Sequence, residues 1–551
     1  MTSSERARVL IVGAGPTGLT LANALARYDV AYAVLERSLA PSRDSKALAI
    51  SPLSQKTFEL LGIRGSIGRE ARSVSRLDIF WRGTRLNPVD LRWLDLDCKA
   101  FLCQPQARTE SELYTALGEG RRRVRWGHAL VALQQAEGAV AVEVEQPDGT
   151  LVHERYDYVV GCDGKRSVVR EQLGIALAGT DYPMHLVLGD FAAPAGYPAD
   201  RVSYHVFDYT FIVIVPVRAG VFRITIKRDG PSDPKLPVHA DEIRDVVASH
   251  LALPPLGEPL WLSRAPLYLR TASALGDRRV FIAGDAAHLY SPIGGTGMNT
   301  GIQDAINLAW KLASTVRGFA RDGELLASYQ SERGELIAAT ARATDASTRL
   351  IAGLERSPSA LAPFLPRPAA RSYIKHALPR QTAGIAQRYM ESAAVASSNL
   401  PCVVPPGAFC ASYPELLREL DLQMPGRRSE LAQNLIVFFE PGAVHARRLA
   451  ELREVLGPYA GCVTIWHVTD GTTDACDALA IRDEPALRRC GAVPGRMLLL
   501  RPDGVVGFVG GLGEVRALLS HIQRTLRPHA VSGLVHVQTA HGEGTAGPIM
   551  D

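Results

Sequence analysis

A glycine-rich turn near the amino terminus constrains the fold more than any other feature of the sequence. Gly13-Ala14-Gly15-Pro16-Thr17-Gly18 follows an apolar run at residues 8–12 and opens a segment of helical spacing at 17–28. A second apolar run at 31–36 ends on Glu36, 18 residues after Gly18. This order of strand, turn, helix, strand and acid predicts a doubly wound α/β sheet that binds a nucleotide. The backbone of the turn can approach a pyrophosphate at the helix N-terminus, and the Glu36 carboxylate can accept a hydrogen bond from a ribose hydroxyl.

The flanking elements make this match informative, because the glycine spacing alone also occurs by chance. The segment 542–547 fits the same spacing, but only four residues follow it, too few for a helix. The nucleotide site is therefore predicted at the amino-terminal match alone.

The mid-chain segment 163–170, which begins Asp163-Gly164, follows an apolar run at 158–161. Taken by itself it predicts no more than a strand that ends in a type I turn and a helix cap.

A second glycine-rich segment at 284–305 predicts a site for a polyol chain and an anion. An apolar strand delivers Asp285, and glycines 294, 295 and 297 precede a helix at about 299–317. Asp285 can accept from a polyol hydroxyl, and the N–H groups of Gly297, Met298 and Asn299 can face an anion at the helix start. A reduced, anionic flavin fits both features. His288 is a candidate proton carrier, although a structural role is commoner for a histidine in such a loop.

The remaining segments predict an inserted sheet and a separate carboxy-terminal unit. Residues 202–227 and 77–93 are rich in β-branched and aromatic residues, which predicts an antiparallel sheet. A helix is expected at 324–354, a connector at 355–405, and a small α/β unit beyond it, with strands at 435–439, 463–467 and 497–504 and helices at 443–456 and 512–526. The predicted domains are 1–175 with part of the sheet at 76–100, 176–270 for the sheet, 271–395 for the return of the nucleotide domain, and 406–551.

Composition excludes several classes of protein. Lys and Arg number 61 against 57 Asp and Glu, a net charge of +4, which argues against a dedicated nucleic-acid binder. No apolar run reaches the roughly 18 residues of a membrane span, and the amino terminus lacks the pattern of a secretory signal. None of the eight cysteines forms a Cys-x-x-Cys, so neither a zinc ribbon nor a dithiol redox motif is expected. No metal site is predicted, and the expected location is the cytoplasm.

The three motifs, in this order, resemble those of the class A flavoprotein monooxygenases with the p-hydroxybenzoate hydroxylase fold. The third motif is nearly unbroken from Gly284 to Asp304 and continues through Asn307, Trp310 and Lys311. The resemblance covers about residues 6–345 and is strongest to the phenol and aromatic-polyketide hydroxylases. Members of that subgroup carry a thioredoxin-like carboxy-terminal domain without redox cysteines, which residues 406–551 fit. The implied fold is a glutathione-reductase-type, Rossmann-like FAD domain with an inserted antiparallel substrate sheet and a thioredoxin-like domain.

The resemblance implies FAD bound in an extended pose. Gly13, Gly15 and Gly18 would surround the pyrophosphate, Glu36 would hold the adenosine ribose, and Asp285 would bind the ribityl chain. Gln106 would match the family glutamine, with Gln104 as its competitor, and Asp163 belongs to a motif linked to both FAD and NAD(P)H. The remaining implied cofactor residues are Ala14, Pro16, Thr17, Arg37, Arg43, Leu130, Pro292, Gly295, Gly297, Met298 and Asn299.

The family chemistry implies an NADH- or NADPH-consuming monooxygenase that hydroxylates a phenolic or polycyclic aromatic substrate through a flavin C4a-hydroperoxide. No protein nucleophile is required. A Baeyer–Villiger or epoxidising oxygenase on the same scaffold, and a flavin-bound protein without catalysis, are the alternatives. A homodimer is a further expectation.

The inserted sheet is expected to form one wall of the substrate pocket. Alternation along its strands should place only half of the apolar side chains on the pocket face. The candidates are Tyr204, Val206, Tyr209, Phe211, Val213 and Phe222.

Two positions depart from the family pattern. Ser54-Gln55 stands where the family often has arginine, and Thr296 stands where many members have glutamine. Neither departure argues against flavin binding.

Overall fold

The computed structural model describes residues 7–42, 47–193, 196–207, 210–230, 236–292, 295–321, 323–353, 373–390, 392–396, 402–423, 429–440, 442–469, 479–481 and 484–528. They belong to two compact units, one of Met1–Arg317 with Asp322–Ser392 and one of Gly318–Arg321 with Ala393–Asp551. Arg43, Tyr209, the segment 542–547 and part of the connector 355–405 lie outside the described residues. Strands β1–β26 and helices α1–α12 are numbered along the chain.

The first unit contains a six-stranded sheet in which every pair is parallel except the one at the β19 edge. Its spatial order is β19 (Gly276–Asp277), β20 (Val280–Ile282), β13 (Tyr158–Gly161), β1 (Val9–Val12), β2 (Tyr32–Glu36) and β9 (Val124–Trp126). All four residues of β1 are buried, as a central strand with both faces covered requires. With α1 (Pro16–Arg27), the first βαβ elements agree with the predicted bounds to within one residue.

A nine-stranded sheet stands where the sequence predicts the antiparallel insertion. Its order is β21 (His288–Leu289), β18 (Trp261–Ala272), β14 (Leu177–Ala192), β17 (Val221–Asp229), β16 (Phe211–Arg218), β15 (Arg201–Val206), β5 (Arg76–Trp81) and β6 (Thr84–Arg85), with β7 (Val89–Asp90) also paired to β5. The pairs are antiparallel except β15–β5, which is parallel.

Alternation gives this sheet two different apolar faces. Ile212, Ile224 and Ile226 belong to a cluster that includes Ile243 and Val247 of α5 (Asp241–His250). Phe211 and Val206 lie on the opposite face with Leu186. Burial of both faces accounts for the nearly continuous apolar character of β16.

The described residues of the first unit also form two smaller sheets and six more helices. One sheet has the order β3 (Ala49–Ile50), β8 (Phe101–Cys103), β4 (Arg72–Val74), and the other β10 (Ala129–Ala136), β11 (Ala139–Glu145), β12 (Leu151–Tyr156). The helices are α2 (Pro52–Leu60), α3 (Gln106–Ala116), α4 (Val168–Gln172), α6 (Gly297–Val316), α7 (Glu324–Gly353) and α8 (Leu378–Thr382). No helix in the described ranges combines the length and apolar character that a membrane crossing requires.

The second unit is a five-stranded mixed sheet with helices. Its order is β24 (Leu479–Ala480), β23 (Val463–Thr469), β22 (Gln433–Phe438), β25 (Arg496–Leu500) and β26 (Val506–Gly511). The first three strands are mutually parallel, and β25 and β26 run antiparallel to their neighbours. The helices are α9 (Tyr413–Gln423), α10 (Ala443–Leu456), α11 (Glu484–Cys490) and α12 (Val515–Thr525).

The predicted strand at 497–504 is shorter in the structure. It ends at Leu500, because Arg501 and Asp503 form a buried ion pair within a turn that the Gly504 N–H closes onto the Arg501 carbonyl. The turn reverses the chain into β26.

Candidate functional site

The amino-terminal glycine turn leaves an open space at the start of α1. Gly13 has a φ of +105°, and a β-carbon there would lie 2.4 Å from the Cys162 carbonyl oxygen. A β-carbon at Gly18 would lie 2.0 Å from the Gly13 carbonyl oxygen, so the helix can approach the strand only with glycine. A β-carbon at Gly15 would meet nothing within 4 Å. No side chain caps the helix start, so its N–H groups face a space that suits an anion.

A cavity lies beside this turn and carries two carboxylates. Glu36, at the end of β2, accepts hydrogen bonds from the N–H groups of Ala14 and Ser38, both at 2.9 Å. The second carboxylate is Glu110 on α3. The lining residues are Ala14, Gly15, Leu19, Glu36, Ser38, Ala40, Pro41, Ser42, Glu110, Tyr114 and Trp126.

Glu110 connects the cavity to the candidate glutamine. The Gln106 amide nitrogen donates to Glu110 Oε1 at 2.9 Å, and the Gln106 oxygen accepts from the Ala47 N–H at 3.2 Å. Burial raises the pKa of Glu110 to about 6; the bond from Gln106 opposes this rise and the charge of Glu36 adds to it. The competitor Gln104 is buried and donates to Glu112 and Thr109 instead. Gln106 is therefore the glutamine that lies next to the cavity.

The third motif begins with a one-turn 3₁₀ helix, Gly284–Ala286, after β20. This turn leaves the Asp285 residue exposed. A β-carbon at Gly284 or Gly301 would lie 2.5 or 2.3 Å from Thr17 Oγ1. Glycine at both positions lets α1 pack directly against the turn and α6, so Thr17 serves close packing between the first and third motifs.

A buried ionic network holds the Gly284 turn in place. Asp304 on α6 accepts from the Gly284 N–H at 3.0 Å, from His288 Nε2 at 2.6 Å and from Arg333 Nε at 2.7 Å. Burial opposes ionisation of Asp304, but Arg333 and His288 outweigh it and lower the pKa to about 2. His288 is fully buried in this network, which is the structural role that its loop suggested.

Asn299 fixes the loop that precedes α6. Its side-chain oxygen accepts from the Ser51 N–H and the Ser54 hydroxyl, and its nitrogen donates to the carbonyls of Ala49 and Gly295. All four distances are 2.8–2.9 Å. Asn299 thus joins the glycine loop to β3 and α2, and Ser54, one of the departures from the family pattern, is part of this junction.

The start of α6 has no side-chain cap, and the Thr296 hydroxyl oxygen is buried with no bonding partner in the described part of the chain. Pro292 and Gly295 are exposed, and Gly297 and Met298 are half-buried. The loop therefore presents a helix N-terminus and one unused hydroxyl.

The mid-chain motif lies between the other two. Asp163 Oδ2 accepts from the Val169 N–H at 3.2 Å, while its buried Oδ1 has no hydrogen-bond partner among the described residues. Burial raises the pKa of Asp163. Arg170 donates to the Ala286 carbonyl at 3.1 Å, which ties this motif to the Gly284 turn.

The comparisons with known proteins identify the family. A family model described as the FAD binding domain matches residues 6–344. The 6-methylpretetramide 4-monooxygenase of Streptomyces rimosus is 31% identical over 548 residues, which cover 94% of this chain and 93% of the relative. The chain belongs to the class A FAD-dependent aromatic monooxygenases.

Two further similarities support the assignment of the protein to this family. The rifampicin monooxygenase of Streptomyces venezuelae is 36% identical over 335 residues, 59% of this chain and 67% of the relative. Among solved structures, the anhydrotetracycline hydroxylase OxyS of Streptomyces rimosus has a TM-score of 0.71 and 26% identity, with 95% of this chain and 99% of that chain covered.

The residues of the monooxygenase fit the FAD that its family binds. A bound dinucleotide could occupy the open space at Gly15 and accept hydrogen bonds from the two uncapped helix starts, at α1 and α6. It could also supply hydrogen-bond partners to the buried oxygens of Asp163 and Thr296. Arg37 is exposed beside Glu36, and Leu130 is buried at the start of β10. Their roles toward FAD, and that of Arg43, stay predictions.

The nine-stranded sheet of the monooxygenase turns four of the predicted pocket residues to one face. Tyr204 is paired with Val213, and Val206 with Phe211, across β15 and β16. Phe222 lies on the opposite face, in the cluster beneath α5, because it shares the alternation of Ile224 and Ile226. Phe222 is therefore separated from the other four candidates, in line with the expectation that only half of the apolar side chains share one face.

Several residues of the site were not found from the sequence. Glu110, Tyr114 and Trp126 line the cavity, and Arg333 completes the network from a helix outside the motif. The i, i+4 spacing of Gln106 and Glu110 on a helix is a signal that could have indicated their contact. The sequence carries no comparable signal for Arg333, which follows Asp304 by 29 residues.

Proposed function

We propose that the monooxygenase hydroxylates a bulky, multi-ring phenol of polyketide type with electrons from NADH or NADPH. Ala49 carries the proposal. Its side chain packs in the apolar cluster that contains Tyr204 and Val213. Its carbonyl accepts a hydrogen bond from Asn299, in the first turn of α6 next to the glycine loop. The aromatic face of the sheet therefore adjoins the loop at which the flavin ring is expected.

The chemistry of this face suits a large aromatic ligand. Phe101, Val215 and Leu77 are partly buried beside Tyr204 in the same cluster. Burial raises the pKa of the Tyr204 hydroxyl to about 12, so it stays protonated and can donate to a phenolic oxygen. An apolar wall with few polar groups is typical of sites that bind ring systems. The names of the relatives refer to 6-methylpretetramide, rifampicin and anhydrotetracycline, which agrees with a large substrate.

Bound FAD would supply the electron transfer to O2 and the transfer of one oxygen atom. The chain contributes the rest. The glycine turn and Glu36 would hold the pyrophosphate and ribose, Asp285 would bind the ribityl hydroxyls, and the N-terminus of α6 would stabilise negative charge on the flavin.

NAD(P)H is proposed to bind transiently. Within the described residues, a single sheet carries the glycine turn and acidic residue of a dinucleotide fold. A second nucleotide would therefore have to approach the flavin without a fold of its own. Cytoplasmic location and a homodimer belong to the same proposal, as do the domain limits 1–175, 176–270, 271–395 and 406–551.

The second unit is proposed to be thioredoxin-like. Its elements run β22, α10, β23, α11, β25, β26 and α12, which is a parallel βαβ unit followed by an antiparallel hairpin and a helix. That connectivity, with the hairpin on the β22 side of the sheet and β24 as an added edge strand, supports the thioredoxin-like assignment.

The test begins with the visible spectrum of the purified protein and NADH and NADPH oxidation with single-ring and multi-ring phenols. We expect bound flavin, oxidation stimulated more by the multi-ring phenols, and a product heavier by one oxygen atom. Oxidation stimulated by neither class of phenol would refute the proposal. A product that base opens as a lactone would replace hydroxylation with Baeyer–Villiger chemistry, and an alkene-derived epoxide would replace it with epoxidation.

A substitution tests which face of the nine-stranded sheet forms the wall of the substrate pocket. Val213→Trp should lower kcat/KM for multi-ring phenols more than for single-ring phenols, because the larger ring occupies the face beside Tyr204. Phe222→Leu is the control, since it lies on the other face of the same sheet. An equal loss for both substrate classes in Val213→Trp would argue against this wall.

A further inference from the structure

Two cysteines of the carboxy-terminal unit meet in its interior although 80 residues separate them in the sequence. The Sγ atoms of Cys410 and Cys490 lie 3.2 Å apart. Cys410 is fully buried and Cys490 is 3% exposed. Cys-x-x-Cys spacing is absent from the chain, so no sequence motif marks this pair.

The backbone holds both cysteines at defined positions. The Cys410 N–H donates to the Gly504 carbonyl, and its own carbonyl accepts from the Tyr413 N–H at the start of α9. Cys490 is the last residue of α11, and the Gly491 N–H closes that helix end onto the Arg488 carbonyl. An S–S bond is about 2.05 Å long, so the sulfurs need to approach by little more than 1 Å.

The other cysteines of this unit are placed differently. Cys462 is also buried, but its thiol donates to the Tyr459 carbonyl. Cys402 is only half-buried, and its neighbour Val403 packs against Gly491. Cys402 is therefore the one alternative partner near Cys490 in the described part of this unit, and the test must separate it from Cys410.

We propose that Cys410 and Cys490 are a thiol pair that hydrogen peroxide converts to an intramolecular disulfide. The sulfur of one cysteine attacks a peroxide oxygen, which gives a sulfenic acid and water. The sulfur of the second cysteine then attacks the sulfenic sulfur and displaces a second water. The two thiols lose two protons and two electrons, and one peroxide is reduced to two waters.

The contact between the thiols suggests which reacts first. The hydrogen bond with Cys410 and burial raise the pKa of Cys490, so Cys490 keeps its proton. Cys490 is therefore the less reactive thiol of the pair, and Cys410 is taken as the first nucleophile. Because the thiolate is the reactive form, disulfide formation should be faster at pH 8.5 than at pH 6.5.

The disulfide would link the segment before α9 to the end of α11. The closed loop contains β22, α10 and β23. Cross-linking a loop of this length removes much entropy from the unfolded chain, so the melting midpoint of this unit should rise by about 5 °C or more on oxidation.

The experiment uses the full-length, flavin-loaded protein with and without hydrogen peroxide. Remaining thiols are alkylated in denaturant, and tryptic peptides are compared before and after reduction. Cys490 lies in the peptide of residues 490–496, whereas residues 389–418 carry both Cys402 and Cys410. Fragmentation of the linked peptide must therefore assign the bond to Cys410.

Three variants complete the test. Cys410→Ser and Cys490→Ser should each abolish the linked peptide and the rise in melting midpoint. Cys462→Ser is the matched control and should retain both. The proposal is overturned by a Cys402–Cys490 bond, by sulfinic acid at Cys410 in place of the disulfide, or by full alkylation after prolonged peroxide. These readouts on the wild-type protein are independent of its activity toward phenols and of the folding of any variant.

Discussion

Removal of Arg333 should show how much of the cofactor site depends on a side chain outside the motifs. Arg333 is 1% exposed and donates to Asp304 Oδ1 at 2.7 Å and to the Thr300 carbonyl at 3.2 Å. In Arg333→Met, the buried carboxylate loses its guanidinium partner. Breaking one side of a buried ion pair costs about 3–5 kcal/mol. At about 2 °C per kcal/mol for a unit of this size, the melting midpoint should fall by about 6–10 °C.

An exposed ion pair on the same helix, α7, provides the control. Arg349 lies 2.8 Å from Asp345, but its side chain is 66% exposed. Exposed pairs contribute about 0–1 kcal/mol, so Arg349→Met should change the melting midpoint by about 2 °C or less.

The assay is the temperature at which flavin fluorescence appears, together with the FAD dissociation constant at 25 °C. Asp304 holds the Gly284 N–H, so a weaker network should loosen the turn that carries Asp285 and weaken FAD binding. In Asp304→Asn/Arg333→Met, neither group is charged. The double variant should therefore lose less stability than the two single losses added together. Equal midpoints for Arg333→Met and Arg349→Met would refute the reasoning.

Three further outcomes follow from the cofactor cavity and its network. Gly18→Ala should destabilise the protein even without FAD, because the added carbon would lie 2.0 Å from a backbone oxygen. Gly15→Ala should leave the stability of the FAD-free protein unchanged and weaken FAD binding, because its added carbon would meet no protein atom within 4 Å. Melting curves with and without FAD check both outcomes. The raised pKa of Glu110, about 6, means that the neutral acid is favoured in the folded state; its stabilisation is present below about pH 4.5 and is lost as the pH rises through 6. A carboxylate that forms beside the glycine turn would also repel the FAD phosphates, so the FAD dissociation constant should rise between pH 5 and 7 in the wild type. A similar rise in Glu110→Gln would contradict this assignment. The lowered pKa of Asp304, about 2, has the opposite sign: its stabilisation, about 2 kcal/mol, is present above pH 4 and is lost as the pH falls toward 2, so Asp304→Asn should flatten the acid limb of a stability-against-pH curve.

Local patterns predicted the elements of the nucleotide sheet well. The first strand, helix and second strand agree with the structure to within one residue, because each is defined by burial on both faces or by a glycine turn. Glycine positions were predictive for a steric reason as well. Gly13 and Gly18 bring backbone atoms so close that no side chain fits, so the residue type and the geometry specify each other.

Side chains that act across the fold could not be predicted in the same way. Phe222 was assigned to the substrate wall because it is aromatic and lies in the predicted sheet, but its face depends on the register of β17 against β14 and β16. A shift of one residue moves every side chain to the other face. Composition does not determine that register, because it also depends on pairing with β14, whose partner residues lie 29 to 45 positions earlier in the chain.

The site as a whole combines both kinds of information. The motifs mark the backbone that would approach the cofactor, and sequence shows them because glycine, a helix start and a strand-end acid are local requirements. Arg333, Glu110 and Ala49 hold or extend that backbone from elements that only tertiary packing brings near. Asn299 illustrates both kinds of information. Its motif predicted a position beside the flavin, and the structure adds that its side chain makes four hydrogen bonds to the protein itself. A motif residue can thus serve the cofactor by fixing the loop that surrounds it, and its substitution should then change the stability of the FAD-free protein as well as the affinity for FAD.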